Sequence, residues 1–154
     1  MKKVYWITGA SATGKTTLVN ALNAEAKFIA FDIDLLRGND WQLKKENMLR
    51  VVNHLNFLEQ KNVILGTATN EQLTACKKKE LFKEVELLVL TLNSNVLRER
   101  LNSRGWKEKD VQYQVDLNSK FKEKHYWQFN NVTVQDVTSF DKGMQLDFVK
   151  RWLL

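Results

Sequence analysis

The chain has 154 residues, 44% hydrophobic and 27% charged, the balance of an ordinary single soluble domain able to bury a core without staples. No apolar run approaches the ~20 residues of a membrane span. One cysteine, Cys76, excludes an internal disulfide and fits a reducing compartment, so a cytoplasmic location is expected. The formal charge of +6 suits an anionic ligand and does not require a long nucleic-acid partner.

Lys2 and Lys3 precede only about four apolar residues before Thr8, too few for an export signal, so the segment Val4–Thr8 is read as a first strand. Residues 9 to 16 then read Gly9-Ala10-Ser11-Ala12-Thr13-Gly14-Lys15-Thr16, a complete G-x-x-x-x-G-K-[ST] loop, followed by the helical Thr17–Leu22. Backbone N–H groups in such a loop (Gly9, Ser11, Ala12, Thr13, Gly14 and on to Thr17) converge on phosphate oxygens, with the positive end of the helix dipole behind them. Lys15 would reach the β- and γ-phosphates and the Thr16 hydroxyl would hold Mg²⁺. ATP and Mg²⁺ are therefore the expected ligands.

The next apolar run, Phe28–Phe31, leads into Asp32-Ile33-Asp34. Alternation along a strand aims both carboxylates the same way, out of its carboxyl end beside the loop. There they would hold magnesium-bound water and orient a hydroxyl for attack on the γ-phosphate. Arg37 and Arg50 are candidates for an anionic acceptor. A helical stripe follows at Met48, Val51, Val52, Leu55 and Leu58, with Lys45, Glu46, Asn53 and Glu59 left to water.

The third run, Val63–Leu65, ends in Gly66-Thr67-Ala68-Thr69-Asn70 with no acidic residue, which leaves the metal to Asp32 or Asp34. Thr67, Thr69 and Asn70 are acceptor contacts by position. Lys77-Lys78-Lys79, flanked by Glu71, Glu80, Glu84 and Glu86, reads as a solvated helix face. A fourth run, Leu87–Leu92, precedes a helix through Leu97 and Leu101 capped by Asn93 or Ser94. Gly105 follows it as hinge or C-cap. A fifth run, Val132–Val137, precedes a last helix marked by Phe148, Val149, Trp152 and Leu153. Short apolar strands alternating with helices mean an α/β fold, a parallel sheet with helices on both faces and the site at the strands' carboxyl ends. With no proline and no linker, residues 1–154 read as one domain.

These motifs resemble the small P-loop kinases of metabolites, the shikimate, gluconate and nucleotide kinase type, over essentially the whole length. The resemblance implies a three-layer P-loop NTPase fold with a five-stranded parallel sheet and a short lid, here approximately 104–118. In that group an Asp-x-Asp ending the second strand touches the metal's water shell and the acceptor hydroxyl, and Asp32 and Asp34 match it. Arg104 matches the lid arginine that closes over the phosphates, while Arg98 and Arg100 point either way. The loop Asp136–Phe140 resembles the adenine-contacting segment. The glycine triplet of shikimate kinases and the Asp-Gly-x-Pro-Arg pattern of adenylate kinases are both missing, so no subfamily is assigned.

The function expected is transfer of the γ-phosphoryl group of Mg·ATP to a hydroxyl or phosphate of a small acceptor (nucleoside, nucleotide, sugar, sugar acid or antibiotic). The alternatives are a kinase of nucleic-acid 5′-hydroxyls and a regulatory nucleotide-binding protein without kinase activity. A GTPase is disfavoured, since Leu92-Asn93-Ser94-Asn95 lacks the Asn-Lys-x-Asp guanine motif. His54 and His125 lack metal-ligand spacing. Cys76 reads as a small core or surface residue, and the five tryptophans read as packing residues rather than base-stacking platforms, though Trp41 and Trp127 flank candidate substrate regions. Oligomeric state is left open.

Overall fold

The computed structural model describes residues 2–154; Met1, part of the expected domain, lies outside the described residues. Five strands, β1 (Val4–Gly9), β2 (Phe28–Asp32), β3 (Lys61–Leu65), β4 (Val85–Thr91) and β5 (Asn131–Asp136), form one sheet in the order β2-β3-β1-β4-β5. Every pairing is parallel. Six helices connect or follow them: α1 (Lys15–Asn23), α2 (Trp41–His54), α3 (Asn70–Ala75), α4 (Ser94–Ser103), α5 (Glu108–Phe121) and α6 (Lys142–Leu153). The chain adds strands on one side of β1 and then crosses to the other, so the crevice opens beside the carboxyl end of β1.

Alternate side chains of the central strands feed two cores. Ile7, Leu88 and Leu90 pack against Leu18 and Leu22 of α1, Leu97 and Leu101 of α4 and Val149 and Leu153 of α6. Trp6, Leu87 and Val89 pack against Met48, Leu49 and Val52 of α2 and Phe121 of α5. Strands covered on both faces need continuous apolar runs, which is why those runs are easy to read.

The inward stripe of α2 differs from the expected one. Asp40 caps the helix by accepting from the Leu43 amide, and this start places Lys45, Met48, Leu49 and Val52 on the inner face. Val51 is turned outward, 46% exposed. Leu58 lies beyond the helix end. Lys45, expected in water, is 1% exposed.

Helix α5 spans most of the segment expected as a lid. Its Val111 and Val115 are buried, and Asn118 grips the end of β4. The Asn118 Oδ1 accepts from the Leu92 amide at 3.0 Å and its Nδ2 donates to the Leu92 carbonyl at 2.7 Å. What precedes α5 is the turn 104–107. That turn begins in a Schellman C-cap of α4: the Trp106 amide donates to the Leu101 carbonyl, the Gly105 amide to the Asn102 carbonyl, and Gly105 takes φ +77°. Gly105 is thus a C-cap. Arg98, on α4, binds Glu108 and Gln112 of α5, tying the two helices rather than facing the cleft.

Candidate active site

The loop between β1 and α1 closes around its own lysine. Lys15 Nζ donates to the carbonyls of Gly9 (2.9 Å) and Ala10 (2.8 Å) and to Thr13 Oγ1 (3.1 Å). Gly14 adopts φ +92°, a conformation that favours glycine, and a Cβ there would lie 2.9 Å from Gln145 Nε2 and push that side chain aside. Ala12 also has a positive φ, 70°, a strained conformation held by its surroundings.

Those surroundings are side chains from four other elements. Arg100 of α4 donates to the Ala12 carbonyl at 3.0 Å, and Gln145 of α6 donates to the Thr13 carbonyl at 2.8 Å. Thr67, after β3, donates to the Gly9 carbonyl at 2.7 Å. Gln114 of α5 accepts from the Ser11 amide at 2.9 Å. The Gly9, Ala12 and Thr13 carbonyls are thereby hydrogen-bonded to side chains outside the loop. Sequence singles out neither Gln114 nor Gln145 and gives Arg100 only as pointing either way, because the partners of Arg100, Gln114 and Gln145 are backbone atoms 88, 103 and 132 residues away.

A cleft of about 200 Å³ lies over the loop, lined by Ser11, Ala12, Gly14, Lys15, Thr16 and Thr17. Asp32, Asp34, Gly66, Thr67, Arg104 and Trp106 complete it. Gly9 and Thr13 stand behind the lining, Thr13 fully buried. The carboxylates arrive there by a route other than strand alternation. β2 ends at Asp32, whose Oδ1 accepts from the Asp34 amide at 2.9 Å and starts a 3₁₀ turn, Ile33–Leu35. The local turn therefore brings both residues to the cleft. Burial pushes the Lys15 ammonium down to about 8, Asp34 and Asp32 pull it back up, and Arg104 lowers it further.

A second cavity of about 500 Å³ adjoins the first and shares Ser11, Asp34, Thr67 and Trp106 with it. Thr69 lines it, though its hydroxyl also accepts from the Gln72 amide as the cap of α3. Arg37 is exposed and lines neither cavity, and Arg50 lines a separate groove with His54 and Lys78. Asn70 is buried and bonded to Tyr126 and Gln128, which removes it from the acceptor contacts. Trp127 is 4% exposed against Phe121, a core residue. The loop 136–140 folds onto Asn93 through Thr138 and lines neither cavity. Cys76 is buried, with its thiol pushed up to about 11 by that burial.

The family described as AAA domain matches residues 6–128, which takes in the loop, the Asp-x-Asp turn and α5. The chain belongs to that family. A curated protein, the methionine import ATP-binding protein MetN 1 of Shouchella clausii, is 28% identical over 94 residues, 56% of this chain. The matched stretch spans only 27% of that relative's length. Among solved structures, a sugar kinase from Janibacter sp. HTCC2649 superposes with TM-score 0.71 at 14% identity, covering 99% of this chain and 95% of that one. The tunicamycin resistance protein of Deinococcus radiodurans does so with TM-score 0.71 at 15% identity, covering 99% and 94%. Such similarity fixes the P-loop NTPase fold of this AAA-domain chain.

Proposed function

We propose that the protein transfers the γ-phosphoryl group of Mg·ATP to a hydroxyl of a small molecule held in the second cavity. One observation carries this reading: Asp34 lines both the P-loop cleft and the adjoining cavity, while Asp32 lines only the cleft. A plain nucleotide switch has no need of a second chamber that meets the phosphate site at a carboxylate.

The donor lies with its phosphates on the loop amides. Lys15 leaves the loop carbonyls for the β- and γ-oxygens, and Arg104 closes from the turn before α5. Thr16 and Asp32 both line the cleft and carry hard oxygen donors that would suit Mg²⁺. The ion, when bound, supplies neutralisation of charge on the β- and γ-oxygens. Asp34, at the boundary, orients the acceptor hydroxyl and takes its proton. The new bond joins the acceptor oxygen to the γ-phosphorus, the bond to the β–γ bridging oxygen breaks, and ADP leaves. Since such transition states are loose, placement and electrostatics do most of the work.

The two aspartates separate experimentally. Asp34→Asn is expected to lower kcat by about 100-fold or more, the usual worth of a positioned base, with ATP affinity unchanged. Asp32→Asn is expected to raise the magnesium concentration needed for half-maximal rate. Equal effects on both parameters in both variants would remove the division of roles.

A further inference from the structure

The second cavity holds a charge that the P-loop chemistry does not use. Lys45 lines it and is 1% exposed, on the inner stripe of α2 among Met48, Leu49 and Val52. Its Nζ makes one long hydrogen bond, 3.3 Å, to the carbonyl of Trp41 one turn back. No carboxylate lies within ion-pair distance of it among the described residues. The Trp41 ring, 5.8 Å away, is a weak substitute. A buried ammonium with one poor acceptor is costly to keep, and apolar residues of similar volume would fill the same stripe at less cost.

The rim of the same cavity carries Trp41, Trp106 and Tyr113, exposed by 52%, 36% and 60%. Three large aromatics left in water around one chamber mark a ligand surface more than a packing accident. Trp41 is held in place by the Lys44 ammonium 4.2 Å above its ring. The cavity thus offers flat apolar walls, one cation with a single long hydrogen bond inside, and the Asp34 carboxylate at the border with the P-loop cleft.

We infer that Lys45 anchors the acceptor, and that the acceptor is a small hydroxylated ring compound carrying an anionic oxygen group. The ring lies against the aromatic rim, the anion pairs with Lys45, and the hydroxyl faces Asp34. This rests on the kinase reading for the fate of the hydroxyl, but the anion site itself does not. It also moves the anion-binding role from Arg37 and Arg50 to a lysine that pattern reading puts in water. Carboxylate and phosphate share the required chemistry.

The test uses two matched pairs, 3-hydroxybenzoate with 3-hydroxybenzamide and uridine 5′-monophosphate with uridine. Binding is followed by tryptophan fluorescence in the wild type, Lys45→Met and Lys15→Ala. In at least one pair the anion is expected to bind the wild type about tenfold more tightly than its neutral partner, and the pair that does so tells carboxylate from phosphate. That preference should vanish in Lys45→Met and persist in Lys15→Ala. Lys45→Gln repeats the comparison should methionine disturb the core, with thermal melts confirming that each variant is folded. No preference in the wild type, or one that survives both Lys45 variants, overturns the assignment. Charge preference lost with Lys45, but no phosphoryl transfer to any acceptor, would leave the anion site standing and remove the kinase reading instead.

Discussion

Lys15 in the free protein spends its ammonium on three acceptors of its own loop, and it is buried enough to titrate near 8. Triphosphate raises that value by supplying negative charge, so the bound group stays protonated where the free one has begun to lose its proton. Binding between pH 8 and 9 should therefore take up a proton, and affinity should fall as pH rises through 8. Calorimetry with magnesium-free ATP in two buffers of different ionisation enthalpy checks this, and Lys15→Arg should abolish the uptake. Pattern reading finds Lys15 because the loop motif is local. It leaves the direction of Arg100 open, because the Ala12 carbonyl that Arg100 binds is 88 residues away in the chain. Arg100→Ala is expected to weaken ATP binding by about ten- to a hundredfold, up to the roughly 1.5–3 kcal/mol of a hydrogen bond from a charged donor, without changing acceptor affinity. The measurement is the separate KM of each substrate.

At the scale of elements, α5 shows how a helix is tied to the sheet. Asn118 is fully buried and satisfies both backbone groups of Leu92. Asn118→Ala would strand those groups in the core and should cost about 2–4 kcal/mol, read from denaturant unfolding. Gly105→Ala should cost about 1–2 kcal/mol, because φ +77° is penalised for any residue with a Cβ. It would also loosen the turn that carries Arg104 and Trp106, so ATP turnover should fall more than ATP binding. The strands and the caps at Asn93 and Gly105 were legible because each rests on near neighbours in sequence. The inner face of α2 was legible only in part: counting apolar residues gives the stripe Met48, Val51, Val52, Leu55 and Leu58, whereas the helix that starts after the Asp40 cap and ends at His54 turns Lys45, Met48, Leu49 and Val52 inward. A lysine's long apolar stem allows that placement, and no periodicity rule based on polarity will find it.

For the whole molecule, parallel pairing and alternating strands and helices follow from the sequence, but the order β2-β3-β1-β4-β5 depends on contacts between distant segments. That order brings the carboxyl ends of β1, β2 and β3 together, and with them the loop, Asp32 and Thr67. The second cavity needs α2, α3 and α5 as well, discontinuous stretches whose shared edge is visible only in three dimensions. The central claim is that this shared edge joins a phosphate donor to an acceptor. Its most direct test is ADP formation from Mg·ATP, with Lys15→Ala as blank, across nucleosides, nucleotides, sugars, sugar acids, hydroxylated antibiotics and 5′-hydroxyl oligonucleotides. Stimulation by one class of small acceptor, absent in the blank, is the expected result. ATP binding with no stimulation by any small acceptor, or stimulation by oligonucleotides alone, would contradict it.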